Sequence, residues 1–563
     1  MKKILLWALA LLLGSACYAE DITVRFKDSS AKVVGAESKS RESIKDSVKV
    51  TVNGAKVNIE SLFTDHKLTI RLKGKSSDGQ LVLKTAGKAK VTLDGLELTS
   101  QEGAPLCLKN KKKVEIVAAK GTDNTLVITA CKDTANNKAA VIWAKDKILL
   151  SGEGKLNVIA TGDGCRGIKS KKDITIEDLT LNVTTSGDNL GEKPFSFGGF
   201  PDMPEGGFPD FGNFPPFGND STMRGGFPNF PGGFPMRNDS TMRGGFPNFP
   251  GGFAMGNDST MRGGFPNFPG GFAMGNDSTI RGGFPNFPGR FPMGNDSTMR
   301  GGLPMGDFFG FGNHDENDSI EGGFGGFAGK HKYVASTKGI ASKGKIIINS
   351  GNVTVRTNTA GAEGIEGKEG IAFNGGYVDV LTTDDAINAN ATIEFNGAHV
   401  VAQSLGNDAV DSNPPGGFFP SFGGNNNQDT TPAVIINGGT VHVWSRVGSP
   451  EEGLDCDFAP LVINGGTTFT VGGGMGEMPS VPTNETAKQP TVLLIGINIV
   501  KDEPIYICDA KGESIATVTV PFSMKRSASL VSNPAFKVGN TYNVKSKGYD
   551  KTFTLSEQFT VVR

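Results

Sequence analysis

One short phrase returns along the chain at nearly constant spacing, and its register constrains the fold more than any other feature. It reads Gly339-Ile340-Ala341-Ser342, Gly364-Ile365-Glu366-Gly367, Ala386-Ile387-Asn388-Ala389, Ala409-Val410-Asp411-Ser412 and Gly453-Leu454-Asp455-Cys456. From Ile340 the next three aliphatics follow after 25, 22 and 23 residues. A second phrase trails the first, at Ile348-Asn349, Phe373-Asn374-Gly375-Gly376, Phe395-Asn396-Gly397, Ile436-Asn437-Gly438-Gly439 and Ile463-Asn464-Gly465-Gly466. A period of this length, built from aliphatics and Asn-Gly turns, predicts coils stacked on coils, each needing its neighbours to bury its apolar face.

The same offsets extend backwards. Leu108 with Val114 and Ile116, Ile142 with Ile148 and Leu150, and Ile168 with Ile174 and Ile176 give three earlier coils. Upstream, Leu68-Thr69-Ile70-Arg71-Leu72 and Val91-Thr92-Leu93 alternate apolar with polar as half-buried strands do. No amphipathic helix of useful length is present, so the chain reads as all-β, a right-handed parallel β-helix once the resemblance given below is included.

Between Ile168 and Ile340 one coil has to absorb 172 residues. That stretch carries a 19-residue repeat, Asn219-Asp220-Ser221-Thr222 and its copies at Asn238, Asn257, Asn276 and Asn295, with a degenerate copy at Asn317. Gly, Pro and Phe dominate it and core-forming aliphatics are few, which predicts an extended or disordered insertion. A shorter excursion runs from Pro414 to Thr431. The expected organisation is a signal peptide at 1–19, a polar β segment at 20–64, the first part of the stack at 65–192 and the insertion at 193–330. The second part follows at 331–475, and a small C-terminal β domain or cap at 490–563.

Lys2-Lys3, the apolar run Ile4 to Leu13 and the small-residue end at Ala19 form the signal peptide, too short to span a membrane. Cleavage after Ala19 gives a secreted product, whereas processing before Cys17 gives a lipid-anchored one, in the periplasm or at the cell surface. With 57 basic and 58 acidic residues there is no electrostatic reason to expect nucleic acid as a partner. The remaining five cysteines lack metal-type spacing and read as small buried apolar groups.

The chemistry lies beside the core aliphatic. Two residues before it stand Glu363, Asp385, Asp408 and Glu452, and one residue after it Glu366, Asn388, Asp411 and Asp455, with Asp384 adjoining. Stacked at the strand spacing of about 4.8 Å, such columns are ladders of like charge. Two charges about 5 Å apart repel by roughly 3 kcal/mol at an effective dielectric of about 20. A partly buried ladder therefore holds a cation or holds protons. Ca2+ suits it because it accepts six to eight oxygen ligands in loose geometry; the alternative is a set of acids solvated at exposed turns. Three residues after the aliphatic the earlier coils carry Lys111, Lys145, Lys171, Lys343 and Lys368. They read as contacts for carboxylate-bearing polymers, Lys171, Lys343 and Lys368 foremost, or as a charged edge that prevents sheet pairing. The Asn column reads as structural, since Asn tolerates the left-handed backbone of a tight turn and interior Asn stacking would serve the same end. The five His are scattered beside no nucleophile, and no two acids have a defined separation, so catalysis has little support.

Leu93-Asp94-Gly95-Leu96, Gly121-Thr122-Asp123-Asn124-Thr125-Leu126, Gly167-Ile168-Lys169-Ser170-Lys171 and Asp384-Asp385-Ala386-Ile387 resemble the bacterial carbohydrate-binding domain-containing family. That family has a right-handed parallel β-helix of polysaccharide-lyase type. The resemblance implies an extracellular protein that binds polysaccharide of cellulose or pectin type. It also implies calcium held by acids before the Gly-Ile turn, carried over to Glu363, Asp384, Asp385, Asp408 and Glu452. The chain departs from the pattern at Cys165-Arg166 and at Lys338, where an acid is expected. Two other readings stay open, a surface adhesin whose β-helix is a stalk and a calcium-dependent polysaccharide lyase. The repeat adds a modification hypothesis: its Asp-Ser-Thr triplets are similar to a bacterial O-glycosylation signal, which would place glycans on Ser221, Ser240, Ser259, Ser278, Ser297 and Ser319.

Overall fold

The computed structural model describes residues 21–35, 48–62, 64, 67–131, 138–189, 336–414, 431–456, 459–473 and 479–563, together with short strands inside 190–335. Every regular element among them is a strand. Each full coil supplies three. In one coil these are Lys338–Ser342, Ile346–Ile348 and Asn352–Thr357, and each pairs in parallel with its counterpart in the next, Glu363–Gly367, Ile371–Phe373 and Tyr377–Thr382. The pairing passes straight across both excursions, because Ile168 partners Ile340 and Ile393 partners Val434.

Alternate residues of each ladder point into one continuous apolar cluster that runs from Ile22 to Leu530. Within it Phe373 and Phe395 of successive coils stack with centroids 5.1 Å apart. At the corner that precedes the core aliphatic there is no room for a large side chain. A Cβ on Gly364 would lie 2.4 Å from the Ala386 carbonyl oxygen and 2.6 Å from Val380. The small residue at that corner faces inward, which turns the residue before it and the residue after the aliphatic away from the apolar core together, although most of these side chains remain buried.

Both ends of the stack are covered. Asp21–Lys27 forms a hairpin with Ser30–Val34 and joins Leu68–Ser76, and Val48–Asn53 forms a hairpin with Lys56–Ser61. At the far end Met524–Ser532 meets Thr467–Val471 and Thr491–Ile499 antiparallel. Four further strands between Pro504 and Thr554 make a separate antiparallel sheet over an apolar cluster shared with Trp444, Phe469 and Val471 of the last coils. The C-terminal strands thus cover the final coil and also build a core of their own.

Residues 193–331 form a second unit. Its described residues are strands such as Thr222–Arg224, Thr241–Arg243 and Thr260–Arg262, each paired in parallel with the next copy of the repeat, and two-residue strands such as Phe234–Pro235 and Phe253–Ala254 paired likewise. The disorder expected for the rest of the insertion, the six serines and the leader with Cys17 lie outside the described residues.

Two sequence expectations need correction. Ile142 partners Leu106, and Leu108 partners Ala144. Two extra residues in the turn at Lys111-Lys112-Lys113 gave Leu108 a spurious match in spacing. The left-handed residue of the Asn-Gly-Gly turns is the second glycine, with φ of +82° at Gly376 and Gly439 and +86° at Gly466, while no Asn of the column has positive φ. The Asn column acts by stacking, the other reading of it, though at the exposed edge of the coils and not in the interior. Asn374, Asn396, Asn437 and Asn464 each donate to the side-chain oxygen of the Asn one coil earlier, at 2.8, 2.8, 2.7 and 2.6 Å. Replacing Asn396 by Ala breaks two links of this chain and lowers unfolding free energy by about 1 kcal/mol. Urea denaturation checks this, and an unchanged midpoint would show that water replaces the ladder at no cost.

Candidate functional site

The ladder containing the recurring phrase has ten strands, from Val48–Asn53 to Val410–Ser412. On its outer face the residue two before the aliphatic runs, coil by coil, Arg166, Lys338, Glu363, Asp385, Asp408, Glu452, and the residue after it Lys169, Ala341, Glu366, Asn388, Asp411, Asp455. The two columns touch. Asn388 donates to Asp385 Oδ2 at 3.0 Å and to Asp411 Oδ2 at 3.1 Å. Asn413 donates to both oxygens of Asp411, Asn407 to Asp384 Oδ1, the Glu452 backbone N–H to Asp408 and the Ser480 N–H to Glu452. Asp455 lies at the end of the column, bridged in parallel to Asp411.

At the opposite end the columns carry their own cation. Lys338 is 1% exposed, and its Nζ lies 3.2 Å from Glu363 and 2.6 Å from Glu366, which Lys368 also reaches at 2.6 Å. The place where an acid was expected holds the ammonium group that neutralises the next coil. Sequence reasoning missed this because the partners of Lys338 stand 25 and 28 residues away along the chain.

Beyond Glu363 the acids have little compensation. Burial raises the Asp385 carboxyl well above the ordinary carboxylate range, and the neighbouring Asp411 and Asp384 raise it further. Asp408 is likewise raised well above that range by burial and then by Asp455. Burial also raises Asp384 and Glu451, and it pushes Glu363 up to about 7 against the opposing pull of Lys338. Asp385 Oδ1 is buried with no hydrogen-bond partner, and the Glu363 oxygen nearest Lys338 is close to the ammonium without being aligned for a hydrogen bond. Oxygen donors with one orphaned carboxylate oxygen fit a hard cation in chemistry. Among the described residues, however, no three His, Cys, Asp or Glu side chains already converge on one point.

The lysine column is longer than its spacing suggested and differs at one position. Lys84 pairs with Lys109, and the ladder continues through Lys145, Lys171, Lys343 and Lys368 to Asn390 and Asn413. Lys109 takes the place expected for Lys111, by the same two-residue shift that displaced Leu108. Lys171 is exposed, Lys343 is half-buried, and Lys368 is drawn toward Glu366 and Asn390. One face therefore carries basic columns over its earlier coils and acidic columns over its later ones, with the seam at Lys338 and Glu363.

Cys107, Cys165 and Cys456 are buried thiols, as expected of small apolar groups, whereas Cys131 and Cys508 are only partly buried. No helix among the described residues is long and apolar enough to cross a membrane.

A family described as carbohydrate-binding domain-containing protein matches residues 64–193, 310–409 and 333–481, more than half of the chain. A carbohydrate-binding domain-containing protein of Acetivibrio thermocellus is 28% identical over 162 residues, which cover 28% of this chain and 54% of that relative, so the match spans about half the relative's length. A solved structure titled as the polysaccharide lyase-like protein from C. thermocellum, gadolinium derivative, aligns at 15% identity and a TM-score of 0.35 over 69% of this chain and 94% of that one. By the extent of the family match, the chain belongs to the carbohydrate-binding domain-containing protein family.

Proposed function

We propose that this protein is a right-handed parallel β-helix that binds polysaccharide outside the cytoplasm, either secreted or held at the cell surface. The observation that carries the reading is the face on which the basic columns abut the acidic ones. A polymer bearing carboxylates meets the exposed ammonium group of Lys171 and the half-buried one of Lys343. Further along, the same polymer meets acids that repel it unless a cation intervenes. Ca2+ bound among Asp384, Asp385, Asp408, Asp411, Glu452 and Asp455 would supply that bridge, since carboxylate and amide oxygens suit its coordination. Side-chain rotation would have to gather these oxygens. Pectin-like chains fit this face better than cellulose, which lacks carboxylates.

The test is binding of polygalacturonate to the full protein by calorimetry, with calcium or with chelator. Replacing both Lys171 and Lys343 by Ala is expected to weaken binding about tenfold, or about 1.4 kcal/mol, and chelation to weaken it independently. Affinity indifferent to both changes would remove this face as the binding surface.

A further inference from the structure

The ladder Asn352–Thr357, Tyr377–Thr382, His399–Ser404, Thr440–Ser445 presents a different outer face. Its register puts Tyr377 beside His399, and His442 beside Val401, two residues on from the position equivalent to His399. The rings meet in a line. Tyr377 and His399 have centroids 5.0 Å apart, His399 and His442 6.0 Å, and His442 and Trp444 6.2 Å in a stacked arrangement. Exposure falls along it, from 41% at Tyr377 to 6% at Trp444, where the line passes into the cluster under the C-terminal strands.

We propose that this line is a stacking track for an uncharged segment of polysaccharide, separate from the basic and acidic columns. Sugar rings offer apolar C–H faces to aromatic planes and hydroxyls at their edges, and both complements are present. Tyr377 and His399 supply open ring faces. At the closed end His442 Nε2 and Trp444 Nε1 lack a hydrogen-bond partner and are shut off from solvent, an arrangement native proteins seldom keep, and a sugar hydroxyl reaches them once this end of the track opens. Charge is balanced nearby, since the Asp379 carboxylate is paired with Arg356. Burial, with His399 adjacent, lowers the His442 pKa to about 4, so the imidazole is neutral at ordinary pH and offers both a donor and an acceptor. The inference rests on the carbohydrate-binding reading but uses other residues, so the two are separable.

The experiment titrates the full protein with uncharged oligosaccharides of glucose, xylose and mannose and, separately, with polygalacturonate fragments, following tryptophan fluorescence and heat. At least one uncharged series is expected to bind and to perturb Trp444. In the variant Tyr377→Ala/His399→Ala its affinity should fall about tenfold, with polygalacturonate binding and the urea midpoint unchanged, because both side chains are exposed. Equal binding of the uncharged series to wild type and variant overturns the track. So does a wild type that binds polygalacturonate and none of the uncharged series. Failure to bind either kind of sugar overturns the carbohydrate reading and the track together.

Discussion

Replacing Lys338 by Met is expected to lower the unfolding free energy by about 3–5 kcal/mol in chelator, the range for removing one partner of a buried ion pair. The change keeps most of the side-chain volume and deletes the ammonium group, leaving Glu363 and Glu366 stacked in a face that desolvates them. Lys368 still reaches Glu366 and exerts a weaker pull on Glu363, which loses its main compensating charge with Lys338. Two further measurements identify the cause. Adding Glu366→Gln should recover much of the loss, since one carboxylate is then gone and Glu363, already pushed up to about 7, can hold a proton. Calcium should recover part of it as well, because a hard cation can stand where the ammonium stood. A urea midpoint within about 1 kcal/mol of wild type would mean that water solvates this coil and that Lys338 only fills space.

That variant bears on what the sequence could disclose. The aliphatic columns were legible because parallel coils repeat one register: Ile168, Ile340, Ile365 and Ile387 keep their places whatever the turns do. Turns hid more. Two residues added near Lys112 moved the first coil's partner from Leu108 to Leu106, and a fixed offset cannot see an insertion. The acid columns were visible as columns, yet the basic residue at their head read as a departure from pattern. Compensation acts between coils, and no local window contains Lys338 together with Glu363 and Glu366. The aromatic line was less legible still. Tyr377, His399 and His442 come from three coils with a two-residue offset, and the burial of Trp444 depends on C-terminal strands whose spacing follows no repeat.

The second large effect concerns pH, and its direction opposes ordinary acid denaturation. In the unfolded chain Asp and Glu ionise near pH 4. In the folded chain Glu363 is pushed up to about 7, and Asp385 and Asp408 are raised well above the usual range, by burial first in each case. Above pH 4 the folded state therefore retains protons that the unfolded state has released, so stability falls as pH rises toward the folded values. For Glu363 alone the loss amounts to about 3 kcal/mol across that window. His442 acts the other way. Its folded pKa of about 4 lies below the unfolded value near 6.5, so stability falls as pH drops from about 6.5 to 4. The two trends overlap below 6.5 and separate above it, where His442 is neutral in both states. Between pH 6.5 and 8, in chelator, the urea midpoint should decline as pH rises, and Glu363→Gln should flatten the decline. Millimolar Ca2+ should flatten it in the wild type, because a cation bound only by the folded state displaces those protons and adds stability that grows with the logarithm of its concentration above Kd. A midpoint constant from pH 6.5 to 8 in chelator would show that the ladder is ionised and solvated throughout. A decline that calcium leaves untouched would show that protons, and no divalent ion, relieve its repulsion.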